Sequence, residues 1–399
     1  TEYKKLSHAL SGKGACALFG LPASGRAQVY AALCRQLDKP LCIVTPGEAE
    51  ATRFAADLNT LGIPAAVFPA RDYVLRSIEG TAREYEYRRL AVLGELVGGR
   101  LRAVAVPAEA LTQFTTPKED FCANTRTLHA GDTLLRDDLL AALFGAGYTR
   151  RAQVDGPGQF SVRGDIVDIF APDQKMPVRM EFWGDEIDTL HTFDLTTQRR
   201  EDAIDKFYLS PAREVLFGKP ADAAEQLRAF LAKQRGKKKT AMADCMAADL
   251  DLLDGGAVPV NMDKYLAVRY PHPATVLDYF DDPILVAEEP ASIREADRAT
   301  VYRRGEELKS LILDGVLCAG LDNLYADPSY LWSKTGHYRT ICAENFARSM
   351  PDQPLKDIIN APAHTLPAWN GEVAGLLEDL KPLCDAGYTV TLLAGTDRA

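Results

Sequence analysis

The sequence predicts an α/β fold: a parallel sheet covered by helices, a compact α+β unit near mid-chain, and a further βα unit towards the end. Three observations carry this. Short apolar runs alternate with helical patterns through the first quarter of the chain, which implies parallel strands joined by helices. Gly158–Asp188 instead shows the period-two alternation of paired strands. Past Asp327 a new βα pattern starts, including an apolar run at Tyr388–Ala394.

In order, Ala15–Phe19 is an apolar strand, followed by Gly20 to Ala27 and a helical pattern through Val29, Ala32, Leu33 and Leu37. The strand Leu41–Val44 turns at Thr45-Pro46-Gly47 into a helix carrying Ala49, Phe54, Ala55 and Leu58. The strand Ala65–Phe68, a loop, a helix over Ala82–Val97 and the strand Leu101–Val106 complete the first segment, 1–123. In 124–209, strand signals at Thr127–Leu135 and a helix at Leu139–Ala146 precede the strand pair. In 210–327, helices at Ala221–Ala232 and Ala241–Leu253 lead to the buried-looking strand Ile284–Ala287. Residues 328–399 read as a third, partial α/β unit that stops short of its covering helix.

The strand pair sorts its residues onto two faces. Val178, Met180 and Phe182 point to a core, so Arg179, Glu181 and Trp183 point the other way. In the partner strand Phe160 and Val162 share one face, and Ser161 and Arg163 the other. Two arginines and a tryptophan on an outward face have the make-up of protein–protein anchors; alternation alone equally fits solvated strand charges beside a packed tryptophan.

Composition narrows the classes. Apolar content of 47% and charged content of 26% over 399 residues suit a globular protein with more than one core. No apolar run reaches the roughly 18 residues a membrane helix needs, and no signal peptide is visible. The chain starts at Thr1, as a trimmed piece of a longer chain would. Eight cysteines and six histidines form no C-x-x-C pair or metal-ligand cluster, which predicts reduced thiols, a cytoplasmic setting and no metal site. A net charge of −10 argues against strong DNA binding by this chain alone, since such binding runs on phosphate neutralisation by Lys and Arg. The dense basic run, Lys233 to Lys239, reads as a solvated loop closing a helix, where cations suit the C-terminal dipole.

Gly20 to Ala27 sits where a phosphate loop would, between a strand and a helix. Gly20 and Gly25 keep the G-x-x-x-x-G-K-[ST] spacing, but Arg26 replaces the lysine and Ala27 the metal-binding hydroxyl. Alanine offers a metal no oxygen, and a guanidinium fork is no substitute for a compact ammonium. Pro22 stiffens the loop. The acid that would organise magnesium falls on Glu288, at the end of Ile284–Ala287. The expectation is a vestigial loop, no hydrolysis and no catalytic residue.

The run Phe160–Phe170, then Val178–Phe182, Asp185–Asp188, Phe193-Asp194 and Gln198-Arg199, resembles the second domain of UvrB and, more closely, the matching region of bacterial transcription-repair coupling factors (Mfd). Pro46-Gly47, Phe68–Tyr73 and Val106–Ala108 resemble the first helicase-like lobe of the same proteins. The resemblance implies a degenerate P-loop helicase-like lobe with the α+β domain inserted into it. It also implies a non-catalytic adaptor that binds UvrA through Arg163, Arg179 and Trp183. RNA polymerase and DNA would be engaged, with ATP and magnesium, by translocase domains outside this chain, and another domain of the whole protein would mask the UvrA surface. The competing reading is an active UvrB-type DNA-dependent ATPase or helicase. Against it stand Arg26-Ala27 and the short stretch Asp72–Thr81, whose only aromatic residue is Tyr73, where UvrB carries a tyrosine-rich hairpin.

Overall fold

A computed structural model describes residues 2–78, 83–346, 354–363, 372–390 and 392. The first segment forms strands β1 (Gly14–Phe19), β2 (Leu41–Thr45), β3 (Ala65–Val67) and β4 (Ala103–Pro107). The middle segment forms β5 (Arg126–His129), β6 (Thr149–Arg150), β7 (Gln159–Arg163), β8 (Ile166–Phe170), β9 (Val178–Trp183), β10 (Glu186–Phe193), β11 (Arg200–Ala203) and β12 (Lys206–Leu209). The last strands are β13 (Ile284–Glu288), β14 (Arg339–Glu344) and β15 (Leu355–Asn360).

Among the described residues, β1–β4 and β13–β15 make one seven-stranded sheet in the order β15-β1-β14-β13-β2-β4-β3, and every pairing in it is parallel. Strands β1, β2, β4 and β13 are apolar at nearly every position because both faces are covered there, whereas the edge strand β15 is half polar and mostly exposed. Ala15, Ala17, Val44, Val104, Leu285 and Cys342 pack on one side with Phe68, Leu93 and Phe121. Cys16, Leu18, Ile43, Ala105, Val286 and Ile341 pack on the other with Tyr30, Leu33 and Phe54.

The sheet corrects the expected start of a third unit at residue 328. Strands β14 and β15 pair in parallel with β1, so the first sheet extends to Asn360. One compact unit spans Thr1–Ala361 and a second spans Pro362–Ala399. The second unit holds a helix, Val373–Asp385. Of the expected strand at Tyr388–Ala394, Tyr388, Thr389, Val390 and Leu392 are described and form no strand, which corrects that expectation there; the other three residues lie outside the described residues.

The middle segment is a six-stranded sheet, β11-β10-β9-β8-β7-β6, beside a two-stranded one, β12-β5. Strands β5 and β12, the first and last of the segment, pair antiparallel, so the chain leaves the lobe and returns to it at one place. Phe160, Val167, Met180 and Leu190 pack against the helix Arg136–Gly145 through Leu139 and Leu143. The basic run divides: Lys233 caps the C-terminus of the helix Pro220–Ala232 as expected, but Lys237, Lys238 and Lys239 occupy the first turn of the helix Gly236–Asp254, where cations oppose the dipole rather than complement it.

Where the chain re-enters the lobe, Glu214 is fully buried between two arginines. Arg89 Nε and Nη2 donate to its two oxygens at 2.6 and 3.1 Å, and Arg71 Nε lies 3.2 Å from Oε1. Arg71 also bridges Asp263 at 2.7 Å, and Arg83 bridges Glu86 at 2.7 Å. Three guanidiniums thus meet three carboxylates. Glu86 further accepts the Glu214 amide at 2.9 Å. Burial works to raise the Glu86 pKa, but Arg71, Arg83 and Arg213 pull it down to about 2.

Removing one partner of such a buried group leaves uncompensated charge. Glu214→Ala is expected to lower stability in urea denaturation by about 3–5 kcal/mol, whereas Glu95→Ala, in an exposed pair with Arg100, is expected to lose less than about 1 kcal/mol. Similar losses for the two variants would show that the network is not a staple.

Candidate protein-binding face and phosphate-loop position

Register defines the outward face of the inserted sheet. Ser161 faces Asp168, Asp168 faces Arg179 and Arg179 faces His191, making one row across four strands. The next row is Arg163, Ile166, Glu181 and Thr189, by the same pairings. Trp183 and Glu186 pair one step further on. Opposed residues share a face, so the three residues singled out from sequence do lie on one side.

They are not equivalent. Arg179 is buried: its Nε and Nη2 donate to the two carboxylate oxygens of Asp168 at 2.7 and 3.0 Å. Its Nη1 donates to the Gln198 carbonyl at 3.2 Å, and its guanidinium stacks 4.8 Å from the Phe193 ring centre. Hydrogen bonding to Asp168 raises the Arg179 pKa. Phe193, Phe170 and Val154 form a small apolar cluster, with Leu195 packed on it, over this end of the outer face. The expectation that Arg179 stands free on that face is thereby corrected: it is mostly a clasp holding β9 to β8.

Asp168, which the sequence reading quoted only inside a motif, is the centre of the arrangement. It is fully buried and also receives Arg163 Nη2. Arg163 is diagonal to it in the register, within reach of a long side chain. The signal in the sequence is an acid in an otherwise apolar strand, on the side that carries two arginines. Arg163 keeps 45% of its side chain exposed, so one cation serves the clasp and still meets solvent.

The open rim lies at the hairpin ends. Gly164 and Gly184 have φ of +61° and +65° at the first positions of two-residue turns, which favour glycine there. The turns β7–β8 and β9–β10 therefore fall at the same end of the sheet, beside Arg163 and Trp183. Trp183 is 82% exposed. Glu181 is engaged by Arg200 and by Thr189 at 3.3 Å.

The phosphate-loop position is filled from within. The helix after β1 spans Ala23–Leu37, leaving only Gly20, Leu21 and Pro22 between strand and helix. Gly25, Arg26 and Ala27 are therefore helical. Gly20 has φ +91°, and a Cβ there would meet the Ala361 carbonyl oxygen at 2.8 Å. Arg26 is buried and bridges Glu288 at 3.0 Å and Glu289 at 2.8 Å. Tyr30 donates to Glu288, and Asn345 N donates to Glu289 at 3.1 Å. Burial pushes the Glu288 pKa up to about 7, further than Arg26 and Tyr30 draw it down. Ala27 is fully buried and apolar, with nothing to offer a cation, and no group of acids, histidines or cysteines suited to a metal occurs among the described residues.

Tyr73 is a core residue: it is 8% exposed and donates to the carbonyls of Phe114 and Leu324 at 2.8 and 3.1 Å. Tyr87 donates to Pro157 at 3.0 Å, tying lobe to insert. Residues 79–81, which end the Asp72–Thr81 stretch, lie outside the described residues. No described helix is long and apolar enough to cross a membrane.

Residues 127–215 match the family described as the UvrB interaction domain. Along most of its length the chain is related to transcription-repair-coupling factors. It is 25% identical over 387 residues to that of Bacillus subtilis, covering 94% of this chain and 33% of the relative. It is 33% identical over 304 residues to that of Mycobacterium bovis, covering 72% and 24%, and 35% identical over 208 residues to that of Myxococcus xanthus, covering 49% and 17%. The chain thus spans about a third or less of the curated relatives it matches.

Two stability experiments separate the roles of these residues. Arg179→Ala leaves Asp168 buried with half its partners and is expected to destabilise by about 3–5 kcal/mol; Trp183→Ala is expected to stay within about 0.5 kcal/mol of the parent in the same urea titration. At the vestigial loop, the folded state binds a proton on Glu288 more tightly than the unfolded chain does. Its contribution is therefore full below about pH 4.5 and declines as pH rises through about 7. Subtracting the stability–pH curve of Glu288→Gln from that of the parent should give a difference that falls across this window. A flat difference would remove the assignment.

Proposed function

We propose that this chain is the UvrB-like part of a transcription-repair-coupling factor and acts as a non-catalytic adaptor that recruits UvrA for nucleotide excision repair. The observation that carries the reading is the rim of the inserted sheet, an exposed tryptophan beside a half-exposed arginine, within residues that match the UvrB interaction domain. Trp183 supplies a large rigid anchor at small entropy loss, and Arg163 a directional cation; both types dominate binding hot spots. Asp168 and Arg179 position this pair by fixing β7, β8 and β9 against one another. Partner engagement would then occur at the hairpin ends.

In this reading the lobe performs no hydrolysis. Arg26 sits where a nucleotide's phosphates would need donors, and it is already answered by Glu288 and Glu289. RNA polymerase and DNA would be handled by domains that the longer relatives carry beyond the region matched here. Masking of the rim by one of those domains would keep recruitment silent until polymerase is engaged.

Loss of a hot-spot side chain typically costs about 2 kcal/mol, roughly thirtyfold in affinity. In titrations with purified UvrA, Trp183→Ala and Arg163→Ala are each expected to weaken binding by about that factor, Trp183→Ala with an unchanged melting curve and Arg163→Ala with a lowered one, because it also removes a partner of buried Asp168. Parent-like affinity in both variants would refute the rim as the contact. Phosphate release from ATP is expected to stay at background with or without DNA, and robust turnover would favour the ATPase reading instead.

A further inference from the structure

Two of the thiols meet in the fold although they are distant in sequence. The Cys318 thiol donates a hydrogen bond to the Cys245 sulfur, and Cys245 Sγ in turn donates to the Val316 carbonyl at 3.2 Å. Cys245 lies within the helix Gly236–Asp254, and Cys318 in the irregular chain that follows the helix Pro290–Leu313. Helical spacing and a close approach bring them together. Lys238, Met242 and Cys245 stand at i, i+4 and i+7 and share one helix face. The segment 316–320 lies along that face: a Cβ on Gly320, whose φ is +108°, would meet Lys238 Nζ at 3.2 Å and Met242 Cε at 3.3 Å. The segment is thus held to the helix at both ends, by Gly320 over Met242 and by Val316 over Cys245.

The two thiols differ in burial. Cys318 is 9% exposed and belongs to the apolar cluster around Leu227, Met246, Tyr265 and Leu317. Cys245 packs against that cluster but is half-buried. Burial raises the Cys245 pKa and lifts that of Cys318 to about 11, against the pull of the Lys264 ammonium on both. Lys264 is fixed there by Asp249 at 2.5 Å and by the Cys245 carbonyl at 3.4 Å. A bound metal does not suit the pair: that ammonium stands beside the sulfurs, and no third ligand joins them among the described residues. Cys245 is the better nucleophile, because it meets solvent and its sulfur accepts the hydrogen bond that Cys318 donates.

We propose that Cys245 and Cys318 form a reversible disulfide within the folded chain when it meets a peroxide. The Cys245 thiolate attacks one oxygen of hydrogen peroxide; the O–O bond breaks, hydroxide leaves and takes a proton to become water, and Cys245 is left as a sulfenic acid. The Cys318 sulfur, already facing Cys245, then displaces the sulfenic hydroxyl. The S–S bond forms, the S–O bond breaks, and the oxygen departs as a second water with the Cys318 proton. The two sulfurs together lose two electrons and the peroxide gains them. One end of the bond lies in irregular chain, which can turn to meet the narrow geometry a disulfide demands. The loop it closes contains β13 and the helix Pro290–Leu313, so the cross-link restricts the unfolded chain and raises stability.

The test uses the full chain carrying Cys122→Ser and Cys384→Ser, which removes the two exposed thiols. Hydrogen peroxide, then alkylation and digestion without reductant, should give one cross-linked peptide pair joining Cys245 to Cys318, lighter by two hydrogens and released by dithiothreitol. Its rate of formation should rise about tenfold between about pH 7 and 8, because the thiolate is the attacking species. The cross-linked chain should melt at a higher temperature than the reduced one, and Cys245→Ser should abolish both the cross-link and the rise. Cross-links to other cysteines, sulfinic acid at Cys245 with Cys318 still a free thiol, or cross-linking confined to urea-unfolded chain would each overturn the proposal. So would a cross-linked chain that melts below the reduced one, since the thiols would then not be placed for the bond. If Cys245→Ser fails to fold, the peptide map, its reversal and the melting comparison still decide.

Discussion

Water can be removed from a guanidinium only if acceptors take its place, and this chain meets that demand with carboxylates at each junction that matters. Asp168 answers Arg179 and Arg163 inside the inserted sheet. Glu214 and Asp263 answer Arg71 and Arg89 where the insert rejoins the lobe. Glu288 and Glu289 answer Arg26 at the end of the parallel sheet. Taking either partner alone out of such a pair is more damaging than never having built it. The lobe pairs join segments distant in sequence, and the Asp168 pairs join neighbouring strands, so they fix docking angle and register where apolar packing alone would permit slippage. The pairing of Arg71 and Arg89 through one carboxylate is the strongest case, since it holds the loop after β3 and the helix Glu84–Val97 to the returning strand of chain.

The parallel sheet and the two-faced strand β9 were legible because local periodicity determines them. Val178, Met180 and Phe182 are buried as the alternation requires. What alternation cannot convey is how deeply the opposite face is covered. Arg179 is enclosed because the chain after β10 folds back, with Gln198 at φ +59° and its carbonyl on the guanidinium; that return is a tertiary event. Sheet membership is non-local in the same way. Strand β14 falls in the βα pattern read past Asp327, but only its pairing with β1 and β13 assigns it to the first sheet rather than a new one. The lysines of 237–239 show a related limit: the helix boundary fell on the other side of them, which reversed the sign of their interaction with the helix dipole.

At the vestigial loop the sequence revealed the losses, a missing hydroxyl and a missing lysine, but not the replacement. Arginine at position 26 is longer than lysine and carries a second terminal nitrogen, so it spans from the helix to both Glu288 and Glu289. An acid that would otherwise require a metal or a nucleotide to offset it is thereby answered by the protein's own cation. The strand-to-helix connection is short: the helix begins at Ala23, and Gly20 comes close enough to Ala361 that a Cβ would meet its carbonyl oxygen.

This substitution has a consequence for recognition. In a working nucleotide site, the relative placement of the helix after β1 and the end of β13 would depend on what is bound, because the ligand supplies the bridging charge. Here the bridge is intramolecular, from Arg26 to Glu288 and Glu289, and under the proposed reading that edge of the sheet would keep one arrangement with or without nucleotide. The lobe carries the inserted sheet through paired strands β5 and β12 and through the Glu214 junction, and these would hold the rim in a constant pose. Under the proposed reading that constancy is useful. An adaptor that must present Trp183 and Arg163 to a partner gains affinity when its surface is already ordered before contact, and control of recruitment then passes from nucleotide state to whatever covers or uncovers the rim.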